Sequence, residues 1–303
     1  MTEAKRTSAN VDLVLLGAAA VWGASYLAAK DLTAAGSLWG MMALRFGLAG
    51  IILAAVALFR RSKFSKLDVL IGSAIGVGLA IVMTFETNAI ALTSATNSGL
   101  IISLSIIFTP IIEGAVNKFW LPRNFFVAAG GAIMGVGFLV GGGGFQEPNL
   151  GDFLMLIAAV LRAGYQVAQG KLTFGRKVDN LNMTVFQTLS AGLIFLVVDP
   201  AGTVSAAAAY GAKEWALMAF LILFCTIYGF FAMTWGIRKT SASRIALLQG
   251  TEPVWAVVIA VIIGGESMGP LGLLGAVLII GSCYWGLGLE QRARAKRSLP
   301  ASN

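Results

Sequence analysis

The 303-residue chain has no histidine, only two cysteines, and few charges, with Asp, Glu, Lys and Arg together making up 12%. Without histidine there is neither a Ser/His nor a Cys/His dyad, and no histidine-bearing metal site. Cys225 and Cys283 both fall within apolar runs, which argues against a disulfide framework and against a metal knuckle. No Gly-x-x-x-x-Gly-Lys-Ser/Thr occurs, so the chain carries no sign of nucleotide hydrolysis. Asp152 follows Gly151 but has no Gly-x-Gly-Asp setting, which speaks against an aspartyl intramembrane protease. An enzyme has no constellation to stand on here, and no cofactor is expected.

Hydrocarbon is what the chain has in excess. It is 57% hydrophobic with a mean hydropathy of +0.83, more apolar surface than a soluble core of this length can hide from water. Apolar runs of roughly transmembrane length, about 20 residues, fall at 11–29, 37–59, 67–88, 95–116, 124–141, 151–171, 181–198, 214–237, 242–263 and 270–289. They predict an all-α integral membrane protein of ten transmembrane helices. Connectors are short, and the longest, Asp199 to Lys213, is alanine-rich and too small to fold alone.

The net charge of +8 reads as topology rather than nucleic-acid binding, because the cations sit in connectors beside apolar spans. Assigning alternate connectors to opposite sides places most of the 22 Lys and Arg on one side, among them Lys5, Arg60, Lys118, Arg176, Arg238 and Arg292. The other side receives Lys30 and Lys213, while Arg45 and Arg162 lie within spans. The bias predicts a multi-pass plasma-membrane protein with both termini cytoplasmic.

The chain also repeats itself. Ala19-Ala20-Val21-Trp22-Gly23-Ala24-Ser25-Tyr26 aligns with Ala158-Ala159-Val160-Leu161-Arg162-Ala163-Gly164-Tyr165. Thr93-Ser94-Ala95-Thr96 aligns with Thr240-Ser241-Ala242-Ser243, and Gly131-Ala132 with Gly275-Ala276. Three matches in one order define two five-helix units. They also make the first span a structural helix instead of a cleaved signal, despite the basic start at Lys5 and Arg6. The expected organisation is a tail at 1–10, a first repeat at 11–141, a linker at 142–150 around Gly141-Gly142-Gly143-Gly144, a second repeat at 151–289 and a basic cytoplasmic tail at 290–303. Because five is odd, the second copy enters the membrane from the opposite face. Inverted repeats around a central cavity are a recurring plan of secondary transporters.

Trp22-Gly23-Ala24-Ser25-Tyr26 with Lys30, followed by Ala43-Leu44-Arg45-Phe46, resembles the opening of the EamA-type repeat of the drug/metabolite transporter superfamily. So does Glu252-Pro253-Val254-Trp255-Ala256 with Gly264-Gly265-Glu266 and Leu274-Gly275-Ala276-Val277-Leu278-Ile279. The resemblance spans about residues 11 to 289 and is greatest to bacterial amino-acid exporters. It implies a ten-helix, exporter-like fold with a central cavity between the repeats. The first repeat departs from the pattern: Thr109-Pro110 sits about one turn away from where Glu252-Pro253 would place it, and no clear Gly-Glu follows the fourth span.

Charges inside spans mark residues that need partners or a wet cavity, at a cost of roughly 2.5 to 3.5 kcal/mol each. Arg45, Glu113, Arg162 and Glu252 are such residues, with Glu86 near the end of the third span. Gln249 shares a face with Glu252, and Pro253 frees a backbone carbonyl; Glu252 reads either as a substrate contact or as half of a buried ion pair. Arg162 heads a polar stripe with Gln166 and Gln169 that should line a cavity, its charge neutralised by an acid. Ser98, Ser105, Thr109 and Glu113 stack on one face of the fourth span, serving close helix packing, the cavity, or both. Trp22, Tyr228 and Trp235 offer aromatic surface for a substrate, or for packing and interfacial anchoring. Arg45, Pro110, Glu113, Arg162 and Pro253 are expected to be structural or gating residues.

Amides, hydroxyls, aromatics and a few carboxylates suit neutral or zwitterionic solutes. The sequence therefore predicts a secondary transporter of amino acids, aromatic and other neutral ones included, working by alternating access. Its partners are that substrate and the bilayer, with no nucleic acid. Export follows from the resemblance alone. The alternatives are other metabolites such as sugar nucleotides or drugs on the same fold, or a channel, for which no filter loop or repeated pore charge is visible.

Overall fold

A computed structural model describes residues 3–93, 101–140, 149–264 and 269–298. Ser98, the Gly141–Gly144 run and Gly265-Glu266 lie outside the described residues. All regular structure among the described residues is helical. The helices are α1 (Glu3–Ala35), α2 (Leu38–Phe59), α3 (Lys66–Leu92), α4 (Ser105–Asn117), α5 (Arg123–Val140), α6 (Leu150–Thr173), α7 (Asn180–Val198) and α8 (Pro200–Ala209). They continue with α9 (Ala212–Ile237, π-helical over Leu221–Tyr228), α10 (Ala242–Gln249), α11 (Glu252–Gly264) and α12 (Pro270–Ser298).

Six of these are long and apolar enough to cross a membrane: Leu38–Phe59, Lys66–Ala89, Leu150–Thr173, Asn180–Val198, Ala212–Ile237 and Pro270–Lys296. Shorter apolar stretches run over Ala9–Ser25, Ile101–Asn117 and Arg123–Leu139. Side chains such as Ile51, Val197, Val277 and Tyr284 project outward, as expected where lipid replaces water.

Local chemistry sets the ends. Ser37 caps α2 by accepting from the Gly40 amide at 3.2 Å, and Asp179 caps α7 by accepting from the Asn182 amide at 3.0 Å. Gly175, at φ +68°, sits in the left-handed turn that follows α6.

Three details differ from the sequence-based expectation. The connector from Asp199 to Lys213 contains a helix, α8, because Asp199 accepts from the Gly202 amide at 2.8 Å, Pro200 fits the first turn, and alanines propagate it. The run at 242–263 is two helices, α10 and α11, parted at Gly250-Thr251. Both expected tails carry helix: α1 begins at Glu3, ahead of the expected start at 11, and the last helix passes the expected end at 289 and reaches Ser298.

The chain divides into two compact units, one formed by residues 1–83 and 168–239, the other by 84–167 and 240–303. Helices α3 and α6 contribute to both.

In the first unit, α2 packs along α7 and also meets α8 and α9, while α1 packs on α9. The α2–α7 seam is close: a methyl group added at Gly192 would come within 2.5 Å of the Gly47 amide nitrogen, so glycine is required there. A string of rings, Trp22, Phe230, Phe46, Phe195 and Trp39, runs through the unit with neighbouring centroids 5.6–6.0 Å apart.

In the second unit, α5 packs along α12, α10 packs on α4 and α12, and α11 touches α5. Gly275 and the carbonyl of Gly135 set the α5–α12 seam, since a methyl at Gly275 would lie 2.6 Å from that oxygen. Ile106, Phe125, Ala132, Val136, Leu247 and Ile279 form its apolar core.

Candidate functional site

The break between α10 and α11 puts Gln249 at the end of one short helix and Glu252 at the start of the next. Both side chains face α6 of the same unit. Arg162 Nη2 lies 3.3 Å from Glu252 Oε2, forming an ion pair whose side chains are 17% and 11% exposed. One turn along α6, Gln166 Nε2 donates to Gln249 Oε1. Thr109 Oγ1 on α4 lies 3.5 Å from Gln166 Oε1, although its single hydrogen goes to the nearer Ser105 carbonyl at 2.7 Å. Pro110 follows inside α4, and Pro253 is the second residue of α11.

Arg162, Gln166, Gln249 and Glu252 thus meet in one unit, with an acid opposite the arginine. The two amides bond to each other. Any ligand that uses them must exchange that contact for its own. At 3.3 Å the contact is long for a charged hydrogen bond, and a partly exposed pair beside apolar side chains retains a strong local field.

The other residues singled out from the sequence lie elsewhere. In the first unit, Gln169 Nε2 donates to Thr234 Oγ1 at 3.1 Å, and Thr234 donates to Gln187 Oε1 at 3.2 Å. All three are buried, and Gln169 Oε1 finds no hydrogen-bond partner among the described residues. The Trp22 indole is buried and donates to the Cys225 carbonyl at 2.7 Å, within the π-helical turn of α9. Wider turns of this kind leave backbone groups that need outside partners. Arg45 Nε donates to Thr226 Oγ1 in the same segment at 2.8 Å, and its guanidinium lies over the Phe46 ring. The Tyr228 hydroxyl donates to the Val14 carbonyl at 2.9 Å. Trp235 lies under the Lys239 ammonium, 4.5 Å from nitrogen to ring centroid. Glu86 is half-buried on α3.

Glu113 belongs to a charged network in the second unit. Its carboxylate accepts from the Ser243 amide and from Arg294 Nη2, each at 3.0 Å, and from the Ser243 hydroxyl. Glu290 accepts from Ser241 Oγ at 2.7 Å, from Arg244 Nη1 at 3.0 Å and from Arg294 Nε. Glu290 is 2% exposed, so this is a built, desolvated cluster. Sequence reasoning missed Ser243, Arg244, Glu290 and Arg294 because all sit in or beside connectors that read as topology signals. The π-helical segment, with Thr226 as the partner of Arg45, has no signature in composition or periodicity.

Among relatives, a protein of Archaeoglobus fulgidus named "Uncharacterized transporter" is 28% identical over 283 residues, covering 91% of this chain and 84% of its own length. The "Uncharacterized transporter YyaM" of Bacillus subtilis is 24% identical, covering 89% and 91%. A solved crystal structure at 18% identity has the same fold, with a TM-score of 0.78 over 94% of this chain and 98% of its own. The model of the EamA-like transporter family matches residues 10–141 and 149–287. With both matches together covering most of its length and its apolar helices crossing the bilayer repeatedly, this multi-pass membrane transporter belongs to the EamA-like transporter family.

Proposed function

We propose that the protein is a secondary transporter for amino acids, aromatic and other neutral ones included, that binds its substrate at the break between α10 and α11. The Arg162–Glu252 pair carries this reading. A zwitterionic amino acid presents a carboxylate and an ammonium a few ångströms apart, and an arginine beside a glutamate offers a complement to each. The amides of Gln166 and Gln249, one turn away, can rearrange around the ligand's polar groups. Short helices broken inside a span are where secondary carriers place their sites, because freed backbone groups there meet polar ligands instead of lipid.

Ten spans in two inverted repeats, at 11–141 and 151–289, complete the proposal. Six long apolar helices, three shorter ones and the α10–α11 pair supply ten crossings. Alternation between two similar conformations of the repeats would expose the site to each side in turn. The charge bias of the connectors supports cytoplasmic termini, while a bacterial inner membrane and export as the working direction rest on the resemblance to bacterial exporters.

The test is uptake of labelled amino acids into proteoliposomes, with unlabelled competitors and an imposed pH gradient as a second condition. Saturable, competable uptake is expected. Glu252→Gln and Gln249→Ala should each lower it about tenfold or more, since a lost charged hydrogen bond costs roughly 1.5–3 kcal/mol. Folded protein that passes no amino acid above empty liposomes would overturn the assignment and favour sugar nucleotides or other metabolites on the same fold.

A further inference from the structure

A second candidate site lies in the first unit, where α6 and α9 end. There a cavity of about 330 Å³ is lined by Thr173, Asn180 and Trp235 together with three cations, Arg176, Arg238 and Lys239. No carboxylate among the described residues lines it. Among the described residues none of the three cations has an ion-pair partner. Three like charges around one small cavity repel one another, and an anion seated among them relieves that repulsion.

The cavity is built rather than incidental. Arg238 Nη1 donates to the Val178 carbonyl at 2.9 Å and to Asn180 Oδ1 at 2.5 Å, and its Nη2 donates to the Arg176 carbonyl at 3.4 Å. These bonds hold the guanidinium in place while using three of its five N–H groups. Lys239 is steered by the face of Trp235. Gly175, in the left-handed turn after α6, redirects the chain so that Arg176 lines the cavity instead of continuing the helix. A fixed guanidinium with a second guanidinium and an ammonium beside it is chemistry that recognises phosphate oxygens.

The rim indicates how that phosphate is carried. Phe174, also lining the cavity, is 83% exposed, and Trp235 lies beside it at the end of a membrane-spanning helix. An exposed apolar ring and a half-buried tryptophan beside cations at a span end suit the membrane–water boundary, where apolar tails meet charged headgroups. We infer that this cavity binds the phosphate ester of an anionic phospholipid headgroup.

The experiment is thermal unfolding of the full chain in neutral detergent, titrated separately with phosphatidylglycerol, phosphatidylcholine and glycerol phosphate. Phosphatidylglycerol should raise the midpoint in a saturable way, and the other two should not. The variant Arg176→Gln/Lys239→Gln removes two exposed cations and leaves the bonds of Arg238 intact. It should keep the lipid-free midpoint and need about thirtyfold more phosphatidylglycerol for the same shift. Arg60→Gln/Lys63→Gln, which removes two exposed cations from another connector, should behave as the parent. An equal response to phosphatidylcholine, a full response in the first variant, or an equal loss in the second would overturn the site. An equal shift with glycerol phosphate, abolished in the first variant, would overturn the lipid assignment in favour of a soluble phosphate ester.

Discussion

Glu290 shows how much one buried carboxylate can hold. It accepts from Ser241, Arg244 and Arg294, and Arg244 is itself only 6% exposed. Glu290→Gln keeps the shape but withdraws the negative charge from a desolvated arginine, a change that costs about 3–5 kcal/mol. The link to Arg294, 36% exposed at its side chain, contributes little of this. A thermal scan in detergent should show a clear drop in midpoint, and a variant that melts with the parent would sink the argument. At this scale the sequence is a good guide inside the spans and a poor one at their ends. Charges within apolar runs drew attention to Arg162, Glu252 and Glu113, because a bilayer makes an unpartnered charge expensive. Glu290 lies just past an apolar run and next to Arg292 and Arg294, where any charge is cheap, so nothing in its setting distinguished it from a solvated tail.

Helix ends in the first unit are joined by two similar polar clasps. Ser37, the cap of α2, donates through Oγ to Asp199 Oδ2 at 2.5 Å, and Asp199 in turn caps α8. Asp68, near the start of α3, accepts from the backbone amide of Asp179, the cap of α7, at 2.9 Å, and from Asn182 Nδ2 at 3.2 Å. In each clasp a carboxylate receives a hydrogen bond from the residue that caps another helix. The Ser37 hydroxyl, and secondarily the Gly202 amide, hold the Asp199 carboxyl below the ordinary aspartate range. A folded-state value below the unfolded one means that the folded protein binds fewer protons. This stabilisation is complete above the ordinary value near 4, and is lost as pH falls through the lowered value. Asp199→Asn keeps a capping side chain but loses the charge. Its midpoint should trail the parent's by a constant gap at pH 5–8 that narrows below about pH 4; a gap unchanged down to pH 3 would refute the clasp. The signals for α8 were present in Asp199-Pro200 and the alanines after it, and Pro253 marked the region where α10 and α11 part. The π-helical turn left no trace, because its hydrogen bonds go to Trp22 and Arg45, far away in sequence.

At the scale of the whole chain, the helix seams do not respect the two halves of the sequence. The α2–α7 seam of one unit and the α5–α12 seam of the other each join a helix from the first half to one from the second. Internal repetition, written in residue order, suggests two halves. Which helix packs on which is not legible, because most of the spanning helices are apolar on most faces and glycines such as Gly192 and Gly275 look alike among the 37 of the sequence. Residues 1–141 expressed alone should therefore give no cooperative melting transition in detergent, and co-expression with residues 142–303 should restore one. A first half that melts cooperatively by itself would show that the seams are dispensable. The same exchange of helices bears on how the protein is made. While the ribosome is still translating the second half, α2 and α5 are already in the membrane with their glycine seams open to lipid or to other proteins. At 5–20 residues per second the wait of α5 for α12 is on the order of ten seconds, so the nascent first half is a ready client for an insertase or membrane chaperone.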